Sequence, residues 1–108
     1  MAVAYKVLGQ LNPAATTLST LYTVPSATST VASTLAICNQ GATTTVRVAV
    51  RPAGAAIDPK HYIVYDTTLN QYDSLILTLG FSFATTDVVS VYAGTANVSF
   101  SLFGAETT

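Results

Sequence analysis

The chain has 108 residues, enough for one domain with one core, and 8% of them are charged, against about 25% in an ordinary globular domain. Net charge is −1 with four Lys or Arg in all, so the clustered cations that phosphate contacts require are missing, which argues against nucleic acid as a partner. One His and one Cys do not supply a structural zinc site, and no run approaches the roughly 18 apolar residues of a membrane span.

Hydroxyl residues replace charge: there are 18 Thr and 9 Ser. A surface built of hydroxyls, Ala and backbone suits a subunit whose faces are covered by neighbours, because low charge favours association. The other reading is a Thr-rich β-protein that tolerates low charge.

The N-terminal segment, residues 1–17, contains a short strand at AYKVLG and reads either as an extended arm reaching a neighbour or as a plain edge strand. It has an early Lys6 but neither the apolar stretch nor the small-residue site of a secretory leader, so the sequon Asn97-Val98-Ser99 is taken as chance. LSTLYTV and VASTLAICN follow as strands rich in Val, Ile, Tyr and Thr, with the turn VPSATST between them. Cys38, lying amid apolar strand residues, reads as a small buried hydrophobe, with a bridge to another chain as the alternative. After the turn NQGAT comes TTTVRVAVR, in which Val46, Val48 and Val50 point one way and Thr45, Arg47, Ala49 and Arg51 the other.

RPAGAAIDP makes a longer excursion before the aromatic strand KHYIVYD, where strict alternation places Tyr62 and Tyr65 on opposite faces. In DSLILTLG, Leu75, Leu77 and Leu79 face inward; TDVVSVYA is a further strand; in NVSFSLFG, Val98, Phe100 and Leu102 alternate with Ser99, Ser101 and Phe103. LNQYD, FATTD and GTAN break these segments, and the closing GAETT reads as frayed. About eight strands with no helical periodicity predict an all-β fold: an antiparallel two-sheet β-sandwich, Ig-like or jelly roll. No internal repeat or linker divides it, so residues 1–108 form one domain, folded from about residue 3 to 105.

Arg47 and Arg51 lie about 13 Å apart on the outer side of their strand. They are either anchors for acidic groups on a partner or internal partners of Asp66, Asp73 or Asp87. Tyr62 and Tyr65 are candidate contact residues as well, since exposed Tyr is rigid, amphipathic and able to stack on sugars; plain packing is the competing reading. His61 reads as a packed or hydrogen-bonded imidazole. No G-x-S-x-G elbow accompanies it, so no catalytic residue is assigned and no enzyme is expected. Asp58, Asp66, Asp73 and Asp87 lack EF-hand spacing, and no phosphate-cradling loop is present, so neither a metal nor a cofactor is expected.

The run LYTVPSATSTVASTLAICNQGATTTVRVAVRPAG, then KHYIVYD, TDVVSVYAGTANVSFSLFG and a closing acidic residue, resembles small virion structural proteins of tailed bacteriophages, most strongly those from phages of cyanobacteria and other marine bacteria. In that family an LYTVP strand-turn, a CN-x-G turn, an R-x-A-V-R-P-A-G strand end and an H-Y-I-x-Y-D strand recur in that order. Here they fall at residues 21–25, 38–41, 47–54 and 61–66. The resemblance implies a non-enzymatic role in the virion, assembled in the host cytoplasm. A capsid decoration (cement) protein that stabilises the head by binding the major capsid protein is favoured, because no coiled-coil or shaft-like segment is present. It would act as a homotrimer at threefold positions. A tail-fibre or baseplate component bound to other virion proteins, or a carbohydrate-binding adhesin domain, is the alternative.

Overall fold

Period-two alternation of branched apolar and small polar residues is realised as strand in each of the segments named above. In the computed structural model, which describes residues 2–108 apart from the side chain of Leu79, the strands are β1 (Val3–Leu11), β2 (Ser19–Thr23), β3 (Ser29–Asn39), β4 (Thr44–Arg51), β5 (Tyr62–Leu69), β6 (Ser74–Phe83), β7 (Val88–Ala93) and β8 (Val98–Thr107). Two short 3-10 turns, Pro52–Gly54 and Pro59–His61, lie in the excursion between β4 and β5.

The strands form two four-stranded antiparallel sheets, in the orders β1-β8-β3-β6 and β2-β7-β4-β5. First pairs with last, second with seventh, third with sixth and fourth with fifth. The first half of the chain therefore runs as a ribbon against the second half. Rolling that ribbon drops successive strands into alternate sheets, and only β4 and β5 are joined within one sheet. This order is the jelly roll, not the Ig-like sandwich, in which consecutive strands share a sheet as hairpins.

Leu35, Ile37, Phe100 and Leu102 from the first sheet meet Val46, Val48, Val89 and Val91 from the second, and all are buried. Burying one side chain of this size contributes roughly 1.5–3 kcal/mol. The inward sets of β4, β6 and β8 are those the alternation predicts, with Val50, Leu75 and Leu77 packed against the core. Leu79, also expected to face inward, lies outside the described residues.

One irregularity resets β3. Ala32 pairs with Gly104 and Thr34 with Phe103, so Ser33 is an extra residue in that ladder. Thr30 and Ala32 are buried before this bulge, and Leu35, Ile37 and Asn39 after it. That parity turns Cys38 outward, where it is half-buried beside Ser74 and Ser99, correcting the expectation of a core thiol. Opposite the bulge, a Cβ on Gly104 would strike the Val31 carbonyl oxygen and lie 2.9 Å from the Ala32 Cα, so only glycine fits there.

Both termini are held. Val3–Leu11 pairs with β8 as the outer strand of its sheet, so this stretch is an edge strand in the folded chain rather than an extended arm. The expectation of a frayed GAETT is overturned: β8 continues to Thr107, and Ala2 and Thr108 exchange backbone hydrogen bonds of 3.1 and 2.9 Å. The cause is Glu106. Its buried carboxylate accepts from Tyr22 Oη at 2.5 Å and pairs with Lys6 Nζ at 2.9 Å, while Tyr22 Oη also meets Thr30 Oγ1 at 2.8 Å.

Candidate functional site on the outer face of the second sheet

Because Val46, Val48 and Val50 turn inward, β4 presents Arg47 and Arg51 on the outer face of its sheet, as expected. Arg47 is enclosed there. Its guanidinium lies 4.5 Å from the Tyr65 ring centroid and 4.4 Å from that of Tyr92, its register partner on β7. Nε and Nη2 donate to the two Asp66 carboxylate oxygens at 2.5 and 3.2 Å. This fork of hydrogen bonds holds the Asp66 carboxyl below its ordinary range and raises the guanidinium further still.

Arg51 does not meet an aspartate. It donates to Ala55 O at 2.6 Å, Gly54 O at 3.1 Å and Ser90 Oγ at 3.3 Å, and so holds the excursion after β4 against the sheet. Asp87 accepts instead from the amides of Ala53 and Ala84, both at 2.9 Å, and Asp73 from that of Ser74 at 2.8 Å. Of the three internal partners considered for the arginines, Asp66 alone is used, and both guanidiniums are engaged within the chain. Arg51→Ala is expected to leave the sandwich folded but to speed hydrogen exchange at the Ala53 and Ala55 amides. Unchanged exchange at both would show that this guanidinium does not hold the turn.

The two tyrosines correct the sequence reading more sharply. They do not lie on opposite faces: their ring centroids are 4.9 Å apart with planes at 77°, an edge-to-face pair. The reason is irregular pairing in β5. Val48 faces Val64 and Val46 faces Thr67, so Tyr65 and Asp66 together oppose the single residue Arg47. Ala49 faces Tyr62, which leaves Ile63 as a further extra residue. Asp66 takes the left-handed conformation, φ +51°, at this point. Tyr62 and Tyr65 are thereby brought to the same side as Arg47.

Residues 57–59 close over this side. Asp58 N donates to His61 Nδ1 at 3.1 Å and Asp58 Oδ1 accepts from Lys60 N at 3.2 Å, a reciprocal cap with Pro59 at the first position of the turn. His61 is buried, and the bond at Nδ1 places its ring proton on Nε2. Ile57, Asp58, Pro59, Tyr62 and Tyr65 line a surface pocket of about 510 Å³. Alternation alone does not bring these five together, because the excursion and the bulged strand meet only in the fold; the one sequence signal was the D-P turn.

The opposite surface of the sandwich was not singled out by sequence. Tyr5, Val7, Val31, Phe103 and Ala105, on the outer face of the first sheet, line a shallow hollow of about 520 Å³ bordered by Lys6. Tyr5 is 86% exposed, Val31 52% and Ile76 59%. No charged residue occupies an outward position of these four strands; Lys6, at the border, is paired with Glu106. The period-two spacing of Tyr5 and Val7 carried this signal, but an isolated strand does not reveal which of its faces is covered.

Among the described residues no three His, Cys, Asp or Glu side chains are grouped to hold a metal ion, and no helix is long and apolar enough to cross a membrane. No protein-family model matches the chain, and no curated protein matches it.

Proposed function

We propose that the protein is a non-enzymatic structural component of a tailed-phage virion, a capsid decoration subunit that binds the major capsid protein as a homotrimer. The observation that carries the reading is the outer face of the first sheet. It combines exposed Tyr5, Val7 and Val31, which line one hollow, with hydroxyl residues and has no outward charge. Contiguous apolar surface of this kind marks sites of protein contact, and the absence of charge removes the desolvation cost and like-charge repulsion that oppose such contact. The resemblance of the motifs at residues 21–25, 38–41, 47–54 and 61–66 to those of small virion proteins supports the virion part of the reading. Jelly rolls are frequent in viral shells, which supports the reading by fold analogy only. Binding many equivalent subunits of a lattice would amplify a modest contact at each one.

The test is co-sedimentation with expanded capsids, alongside light scattering for mass. The wild-type chain is expected to run as a trimer and to saturate the capsid lattice. Tyr5→Glu with Val31→Glu, at two exposed positions, is expected to weaken capsid binding by about tenfold or more while leaving Tm within a few degrees. Capsids that never take up the wild-type chain, or that bind the double variant equally well, overturn the proposal.

A further inference from the structure

We propose that the pocket between residues 57–59 and β5 is a binding site for a neutral hexopyranose ring, wherever assembly places the protein. Its volume, about 510 Å³, lies within the usual range for small-molecule sites. Its walls are Ile57, Pro59 and two tyrosine rings set at 77°, so a ligand must offer an apolar face to flat aromatic surface. The lining residues with polar side chains are Asp58, Tyr62 and Tyr65. Asp58 Oδ1 is occupied by the Lys60 amide; Oδ2 has no hydrogen-bond partner among the described residues. A free carboxylate oxygen is an acceptor for ligand hydroxyls. A pyranose has both features: one face of C–H groups and a rim of hydroxyls.

Charge narrows the class further. Asp58 disfavours a phosphate or carboxylate ligand, and the nearest guanidinium, Arg47, is already paired with Asp66. A quaternary ammonium would also suit tyrosines beside a carboxylate. However, Arg47 already lies 4.5 Å from the Tyr65 ring centroid, so a second cation on that ring meets a repelling charge and a polarised π-system.

The site is also assembled before any ligand arrives. Tyr65 is 58% exposed yet held by the Arg47 guanidinium over its ring and by its edge-to-face contact with Tyr62, and the Asp58–His61 cap fixes a second wall. Little ordering cost then remains to be met on binding.

The experiment is saturation-transfer NMR on the intact protein with the methyl α- and β-glycosides of glucose, galactose and mannose, and with choline as the cation probe. At least one glycoside is expected to show transfer to its ring protons with Kd on the order of 1 mM. Tyr65→Ala and Asp58→Asn should each weaken that binding by about tenfold, with Tyr65→Phe keeping most of it and Tyr72→Ala, in the distant β5–β6 turn, leaving it unchanged. If Tyr65→Ala unfolds, Asp58→Asn decides alone, because an amide oxygen can still accept from the Lys60 amide. The proposal is overturned if no glycoside shows transfer up to about 50 mM. It is equally overturned if transfer survives Asp58→Asn undiminished, or if choline alone binds.

Discussion

Asn39→Ala is expected to lower stability by about 3 kcal/mol, a fall in Tm of roughly 12–20 °C for a domain of this size. Asn39 ends β3 and is 1% exposed. Its Nδ2 group donates to the carbonyls of Ala42, Leu69 and Asn70 at 3.0, 3.2 and 3.0 Å, and its Oδ1 accepts from Gly41 N at 3.0 Å. One carboxamide thus ties the β3–β4 turn to the β5–β6 turn at one end of the sandwich. Alanine leaves several of these groups without a partner and opens a void besides. The control is Asn39→Asp, which still accepts from Gly41 but sets a carboxylate against three carbonyl oxygens. It should cost at least as much at neutral pH, with part of the loss recovered on acidification. Urea denaturation of both variants checks the argument, and a loss below about 1 kcal/mol for Asn39→Ala would mean that this cluster is not what holds the end together.

The second large effect concerns the other end, where Glu106 is enclosed by Tyr22 and Lys6. Removing the carboxylate in Glu106→Ala strips Tyr22 Oη and Lys6 Nζ of their acceptor and should cost about 2 kcal/mol. Its signature is in pH dependence. Hydrogen bonding by Tyr22, then by Lys6, holds the Glu106 carboxyl below its ordinary value of 4.5. Such a group contributes stability that is complete above the unfolded value and is lost as pH falls through the folded one. Tyr22 runs the other way: burial, then the bond to Glu106, pushes its hydroxyl up to about 12 from 10.0. Its contribution is complete below pH 10.0 and is lost as pH rises towards about 12. Wild-type stability should therefore hold a plateau between those limits and fall on both sides. Glu106→Gln should flatten the acid limb, and Tyr22→Phe the alkaline one. An acid limb unchanged in Glu106→Gln would place the responsible carboxylate elsewhere.

Strand positions and inward faces were legible wherever the ladder is regular. Val46, Val48, Phe100 and Leu102 obey strict alternation and lie in the core. Legibility ended at features that depend on two strands at once. A bulge is a mismatch between partners, so nothing within KHYIVYD announces that Tyr62 and Tyr65 share a face, and nothing within STLAICN announces that Ser33 turns Cys38 outward. The jelly roll itself was hidden for a similar reason. VPSATST and FATTD have the composition of hairpin turns, yet each carries the chain from one sheet to the other. GAETT read as frayed although Glu106 anchors it, because the partners of that carboxylate are 84 and 100 residues distant in sequence.

The proposed site shares that limit. Arg47 was visible as an outward cation, but its enclosure by Asp66, Tyr65 and Tyr92 depends on strands from two parts of the chain. Its consequence is a division of labour between the two outer surfaces. One sheet presents a face without outward charge; the other uses its arginines to hold two tyrosines and an excursion in place.

Immunogold electron microscopy of intact particles, with antibody raised against this chain, tests the assignment to the virion most directly. Gold distributed over the head is the predicted result. Gold confined to the tail end would contradict the decoration role, and particles that carry the accessible antigen nowhere would contradict the virion assignment itself.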